Sequence, residues 1–151
     1  MDQKLSNSFY QKTVVKHSQR PQNFLKLKKY THSAVGYNPV CGDEITVYVY
    51  AQDEQFRGLS FTGDCCAVCK SSASLMTGRL MNAGIQEFQN IFEEFIRLIN
   101  KTLDPDREQN CLGEITVFKG IWDYPGRIKC ANLGWYTLKA ALNNQSTVST
   151  E

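Results

Sequence analysis

A thiol and a carboxylate lie two positions apart in the segment NPVCGDEITVY, residues 38–48, at the start of a predicted strand. Thiolate sulfur and carboxylate oxygen both bind metal ions, so Cys41 and Asp43 could provide two ligands. Taken singly, Asp43 is typical of a turn residue that bonds its own backbone, and Cys41 of a small buried thiol. The choice between these interpretations depends on whether other such residues converge on the pair.

The chain contains six cysteines among its 151 residues, which is a high number for one small domain. They are Cys41, Cys65, Cys66, Cys69, Cys111 and Cys130. In a reducing compartment, clustered thiols bind metal or take part in sulfur chemistry more often than they form disulfides. The adjacent pair Cys65 and Cys66 suits neither a disulfide framework nor a zinc ribbon.

Charge and hydropathy argue against several classes of function. A net charge of +2 gives little support for nucleic-acid binding. No apolar run approaches the roughly 20 residues needed to span a bilayer, and the first residues lack the apolar core of a signal peptide. We therefore expect a cytoplasmic protein with neither nucleic acid nor membrane among its partners.

The hydrophobic periodicity predicts an α+β fold in which a small antiparallel three-stranded sheet packs against helices. We expect one domain over residues 1–151, with a disordered polar tail at 144–151. Strands are predicted at 31–37, 44–50 and 56–63. Helices are predicted at 4–17, at 66–81, through 88–99 to about 101, and from about 127, with a short helix before Pro125.

Three thiols and the carboxylate fall at the ends of these elements. Cys41 and Asp43 precede a strand, Cys66 begins one predicted helix, and Cys130 lies in the first turn of another. The positive end of a helix dipole favours thiolate over thiol. Three sulfurs and one oxygen form a plausible tetrahedral zinc set, or a ligand set for a small iron–sulfur cluster. Spacing alone makes this only suggestive.

Three sequence blocks strengthen the interpretation. The blocks NPVCGDEI, GDCCAVCKSSASLMT and PGRIKCANLGW, together with the earlier HSQRPQNF, resemble the NifU N-terminal family of IscU-like iron–sulfur cluster assembly proteins. The long insertion before the third block is similar to that of the SufU branch. The resemblance implies a sandwich fold of the SufE/NifU type.

The resemblance also implies a site and a reaction. Its four positions, Cys41, Asp43, Cys66 and Cys130, hold zinc in the SufU branch, with Asp43 expected to be the most exchangeable ligand. Cys130 would be the catalytic residue that accepts persulfide sulfur from a SufS-like cysteine desulfurase, for delivery to scaffold or acceptor proteins of the assembly pathway. The alternative is a scaffold that assembles a transient [2Fe–2S] cluster on the same residues. A third possibility is a zinc ion that only stabilises the fold of an interaction module.

The chain departs from the family pattern at three positions. Lys129 replaces a histidine of the IscU branch, which favours a zinc-dependent sulfurtransferase over a scaffold, since an ammonium group is a poor ligand. Cys65 stands where glycine is usual, so either Cys65 or Cys66 could be the ligand, although alignment favours Cys66. Cys69 stands where serine is usual and is either an auxiliary thiol for sulfur relay or a small buried hydrophobe.

Several residues near these blocks have auxiliary or incidental roles in this interpretation. Arg127 and Lys129 flank Cys130 and, as cations, would stabilise a thiolate there. Cys111 belongs to no block, and neither His17 nor His32 is expected to be a ligand. We expect no independent cleavage of a C–S bond, because that chemistry would belong to the desulfurase.

Overall fold

The computed structural model describes residues 2–151. The helices and strands are α1 (Gln3–Gln19), β1 (His32–Asn38), β2 (Asp43–Gln52), β3 (Gln55–Asp64), α2 (Ala67–Leu80), α3 (Ile85–Ile99), α4 (Ile128–Leu142) and β4 (Thr147–Ser149). Two 3₁₀-helical segments, Gly113–Asp123 and Pro125–Arg127, precede α4. The α+β class and the order of helices and strands predicted from the sequence are confirmed.

The sheet has the strand order β3-β2-β1-β4, and β2 pairs antiparallel with both β1 and β3. Ile45, Val47 and Val49 alternate along β2 and are fully buried, because every second side chain of a strand faces the same layer. The β2–β3 hairpin turns through Asp53 and Glu54, which both have positive φ, as the tight turns that match strand twist require.

The expectation of three strands was wrong by one within residues 2–151, because part of the presumed disordered tail is β4. β4 pairs in parallel with β1, and Val35 N–H donates to Ser146 O at 2.9 Å. Pairing satisfies backbone groups that β1 would otherwise leave at an open edge. The polar segment QSTVST gives almost no hydrophobic signal for this strand, since only Val148 packs against the core.

The helices cover one face of the sheet. The predicted apolar stripe of α3 is buried, and its Phe95 ring stacks on Trp135 of α4 with 4.3 Å between ring centroids. Among residues 2–151, no helix is both long enough and apolar enough to cross a bilayer.

Small residues bring α2 and α4 close together. Ser72 Oγ donates to Ala131 O at 2.7 Å and accepts from Trp135 Nε1 at 3.0 Å, so this buried hydroxyl ties the two helices. Gly134 faces Ala73, where an added Cβ would lie 3.2 Å from the alanine side chain. This contact fixes the start of α2, which carries Cys66, relative to the start of α4, which carries Cys130.

Gly36 provides a first test of how tightly the sheet and α4 are packed. A Cβ at this position would lie 2.0 Å from Thr137 Oγ1, so we expect Gly36→Ala to lower the free energy of unfolding by about 1–3 kcal/mol. Urea unfolding measures the change. Gly126→Ala is the matched control, since nothing lies within 4 Å of its added Cβ. Equal stability of both variants would contradict the close packing of β1 on α4.

Candidate metal centre

The turn between β1 and β2 presents the first two candidate ligands. Asn38 pairs with Asp43 across the ends of these strands, and Gly42 in the turn has a φ of 74°, a conformation that favours glycine. The Asp43 side chain is buried and points inward, whereas Cys41 is exposed.

The start of α2 brings in the third residue. Cys66 is the N-cap of this helix, and its Sγ accepts from Cys69 N–H at 3.5 Å. The Cys66 backbone N–H donates to Asp43 Oδ1 at 2.9 Å. The carboxylate therefore binds the chain directly at the point where α2 begins.

The start of α4 brings in the fourth residue. Cys130 is fully buried, its thiol points to Cys41 Sγ at 3.6 Å, and it shares a hydrogen bond with Cys66. The ligand atoms of Cys41, Asp43 and Cys130 all lie within 4.8 Å of one another. Cys66 adjoins this set through its contact with Cys130 but is not one of the three mutually close residues.

The donor set fits the groups implied by the resemblance. Three sulfurs and one carboxylate oxygen can complete a tetrahedral zinc site, and thiolates also hold iron–sulfur clusters. The set contains no histidine, because His17 Nδ1 is bonded to Ser74 Oγ at 2.8 Å and His32 Nδ1 to Thr31 Oγ1 at 2.8 Å.

The thiols of Cys66 and Cys130, at the starts of α2 and α4, have pKa values shifted in opposite directions. The hydrogen bond from Cys130, followed by that from Cys69 N–H, lowers the pKa of the Cys66 thiol to about 6. The same interaction with Cys66, together with burial, raises the pKa of Cys130 well above the usual range for a thiol. The interaction between the two thiols therefore favours the thiolate form of Cys66 over that of Cys130.

The two auxiliary cations behave differently. Arg127 forms a side-chain hydrogen bond with Cys130, which raises the pKa of its guanidinium group and places a positive charge beside this thiol. Lys129 instead pairs with Glu151 in the C-terminal segment. Of these two residues, only Arg127 has a contact with a candidate ligand.

The two remaining thiols near α2 face each other. Cys69 is fully buried, and its side chain is hydrogen-bonded to that of Cys65, which is half-buried. This contact and burial raise the pKa of Cys69. The Cys66 thiol interacts with Cys130, whereas that of Cys65 interacts with Cys69, so the geometry favours Cys66 over Cys65 as the candidate ligand. Cys111 lies in an exposed loop, where its N–H donates to the Glu94 carboxylate.

Asn38 is a functional candidate that could not be recognised from the sequence. Its buried Nδ2 donates to Asp43 Oδ2 at 3.1 Å and lies 3.7 Å from Cys130 Sγ, and its Oδ1 accepts from Thr150 Oγ1 at 3.1 Å. The residue opens the block NPVCGDEI, but an asparagine before proline is also a common turn signal. Nothing in its type distinguished a positioning role from a turn.

The profile of the NifU-like N terminal domain matches residues 9–131. The chain therefore belongs to the NifU-like N terminal domain family, as the three sequence blocks predicted. An iron–sulfur cluster assembly scaffold protein IscU of Thermotoga maritima is 34% identical over 121 residues, which cover 80% of this chain and 83% of that protein.

Two further relatives come from the SufU branch. The zinc-dependent sulfurtransferase SufU of Bacillus subtilis is 27% identical over 136 residues, which cover 88% of each chain. The crystal structure of an iron–sulfur cluster assembly scaffold protein for the SUF system, from Fervidobacterium islandicum AW-1, superimposes with a TM-score of 0.81 at 26% identity. That match covers 89% of this chain and 97% of the other.

Asn38 should determine how well the site is ordered. We expect Asn38→Ala to weaken zinc binding by roughly 10- to 100-fold, because Asp43 and Cys130 lose a common hydrogen-bond donor. Competition with a chromophoric chelator measures the affinity. Asn90→Ala, the same change on the exposed face of α3, is the control and should leave zinc binding unaltered. Equal affinities for the two variants would show that Asn38 does not position the ligands.

The choice between the adjacent thiols has a direct test. We expect Cys66→Ser to reduce zinc affinity by more than the ~100-fold upper range of outer-shell changes, because a ligand is lost. Cys65→Gly, which restores the residue usual in the family, should retain zinc. Elemental analysis after dialysis against a chelator compares the two. The opposite pattern would assign the ligand to Cys65.

Proposed function

We propose that the protein is a zinc-dependent sulfur acceptor of iron–sulfur cluster assembly, in which Cys130 receives persulfide sulfur from a cysteine desulfurase. Cys41, Asp43, Cys66 and Cys130 would hold the zinc ion. The observation that carries the proposal is the meeting of these residues, which are distant in sequence, around one buried carboxylate. The similarity to Bacillus subtilis SufU, which is named as a zinc-dependent sulfurtransferase, supports it.

When bound, zinc would supply Lewis-acid stabilisation that keeps its ligand thiols in the thiolate form. The residues of the chain have their own part in the transfer. Arg127, hydrogen-bonded to Cys130, stabilises negative charge on that sulfur. Cys66 shares a hydrogen bond with Cys130, so a proton can move between these two thiols.

The transfer itself is a thiol–persulfide exchange. The Cys130 thiolate attacks the outer sulfur of the persulfide on the desulfurase, a new S–S bond forms on Cys130, and the desulfurase cysteine leaves as a thiolate. The proton of the persulfide group stays on the transferred sulfur. No net oxidation or reduction occurs, so this step needs no further reactant.

Access to Cys130 constrains how the partner docks. Cys130 is fully buried beneath the turn that carries Cys41, so the sulfur atom becomes reachable only when this turn moves. Val40 in the same turn is 70% exposed and gives the partner an apolar contact beside the site. The desulfurase would therefore bind at this turn and displace it.

A scaffold function is the second candidate, because the Thermotoga maritima relative, at 34% identity, is named as an IscU scaffold. The same three thiols and Asp43 could assemble a transient [2Fe–2S] cluster. Lys129 and its pairing with Glu151 favour the sulfur acceptor, since the position that carries histidine in the IscU branch offers no ligand here.

A mixing experiment distinguishes these functions. We expect colourless protein with one bound zinc that acquires a persulfide on Cys130 when incubated with a cysteine desulfurase and cysteine. Mass spectrometry after alkylation locates the added sulfur. Cys130→Ser should accept none, whereas Cys111→Ser, which changes an exposed thiol in a different loop, should accept as much as the wild type.

Two outcomes would contradict the proposal. Visible absorbance of a [2Fe–2S] cluster after anaerobic addition of iron and sulfide, without persulfide uptake from the desulfurase, would assign the scaffold function. Stoichiometric zinc with no persulfide under any of these conditions would leave only a structural role for the ion.

A further inference from the structure

Two thiols beside the candidate metal centre take no part in the proposed transfer. The side chains of Cys65 and Cys69, four residues apart in sequence, interact with each other at the start of α2. Cys69 is fully buried and Cys65 is half-buried, so the pair has one protected and one accessible member. Neither residue belongs to the close group formed by Cys41, Asp43 and Cys130.

The pair adjoins the sulfur atoms of the centre. Cys69 N–H donates to Cys66 Sγ at 3.5 Å, and Cys66 in turn shares a hydrogen bond with Cys130. Cys65 directly precedes Cys66 in the chain. A persulfide on Cys130 or Cys66 would thus be formed next to two thiols that are not needed as ligands.

The chemistry of the cargo gives this arrangement a use. The outer sulfur of a persulfide is formally at the oxidation level of elemental sulfur and needs two electrons to become sulfide, the form found in iron–sulfur clusters. Two thiols that close to a disulfide release two electrons. Cys65 and Cys69 together can therefore supply the two electrons that the outer sulfur of one persulfide needs.

We propose that Cys65 and Cys69 form a dithiol that reduces the persulfide held at the centre and releases its outer sulfur as sulfide. The inference rests on the proposed sulfur-acceptor function and adds the fate of the accepted sulfur.

The reaction has two steps. The Cys65 thiolate attacks the outer sulfur of the persulfide on Cys66 or Cys130, which forms a persulfide on Cys65 and returns the first cysteine as a thiolate. Cys69 then attacks Sγ of Cys65, which forms the Cys65–Cys69 disulfide and expels hydrosulfide. The thiol protons pass to the leaving thiolate and hydrosulfide.

One sulfane sulfur is reduced and one dithiol is oxidised in each cycle, so a single turnover needs no outside reactant. A second cycle requires a dithiol reductant that exchanges with the disulfide. The half-buried Cys65 is the accessible sulfur for that exchange. The buried Cys69 is shielded from solvent, so it reacts with its neighbour rather than with reagents in solution.

The alternative is that Cys69 is a small hydrophobic residue and Cys65 an incidental replacement of glycine. A single-turnover experiment distinguishes the two interpretations. The fully reduced protein is loaded with persulfide by a desulfurase and one equivalent of cysteine, with no added reductant. Released sulfide is measured colorimetrically, and disulfides are mapped by mass spectrometry after alkylation.

We expect the wild type to release one sulfide for each Cys65–Cys69 disulfide formed. Cys69→Ser and Cys65→Gly should take up persulfide but retain it, with no sulfide above that produced by the desulfurase alone. Retained persulfide uptake verifies that both variants fold. Cys111→Ser should behave as the wild type.

Persulfide that stays on the wild type as long as on Cys69→Ser would overturn the inference while leaving the sulfur-acceptor function intact. A disulfide mapped to any other pair of cysteines would overturn it as well. Failure of the wild type to take up persulfide would refute the proposed function itself, so the two failures have different signatures.

Discussion

The buried carboxylate of Asp43 is the interaction on which the site depends. Its two oxygens accept from the Cys66 backbone N–H at 2.9 Å and from Asn38 Nδ2 at 3.1 Å, while only 4% of the residue is exposed. A carboxylate in such a place is costly unless donors satisfy it. Asn38 also approaches Cys130, so one network joins the end of β1, the start of β2 and the starts of two helices. Each candidate ligand is positioned by contact with this network.

Burial also ranks the ligands by how readily they can exchange. As the single oxygen ligand of the proposed zinc site, Asp43 is expected from the sequence to be the weakest and most exchangeable. The structure places Asp43 inside, held by two donors, whereas Cys41 stands exposed in a turn. If a partner docks at this turn, as proposed, Cys41 is the candidate ligand open to solvent, and its sulfur lies against that of Cys130. The proposed docking would therefore act first on the Cys41 turn.

Local patterns predicted the fold well, and long-range contacts account for what they missed. The alternating buried residues of β2 and the apolar stripe of α3 are local patterns, so both elements could be predicted directly from the sequence. β4 has little apolar character and exists because β1 offers it an unpaired edge. Asn38, through Cys130 and Thr150, and the Lys129–Glu151 pair likewise depend on partners distant in sequence. The candidate ligand set could be predicted only from the resemblance to a family. The predicted helix and strand ends give the position of each thiol in its own element, but not whether the thiols lie close together in the fold.

The ambiguity between Cys65 and Cys66 has a physical explanation in the first turn of α2. Cys66 is the N-cap, so its sulfur turns back towards the free N–H groups of the helix and faces Cys130. Cys65 lies one residue earlier, and its side chain meets Cys69, one turn into the helix. Cys66 and Cys65 are adjacent in sequence, yet the thiol of Cys66 faces Cys130 and the thiol of Cys65 faces Cys69. The same turn also brings the other two thiols together, so the proposed ligand and the proposed dithiol are formed by different residues.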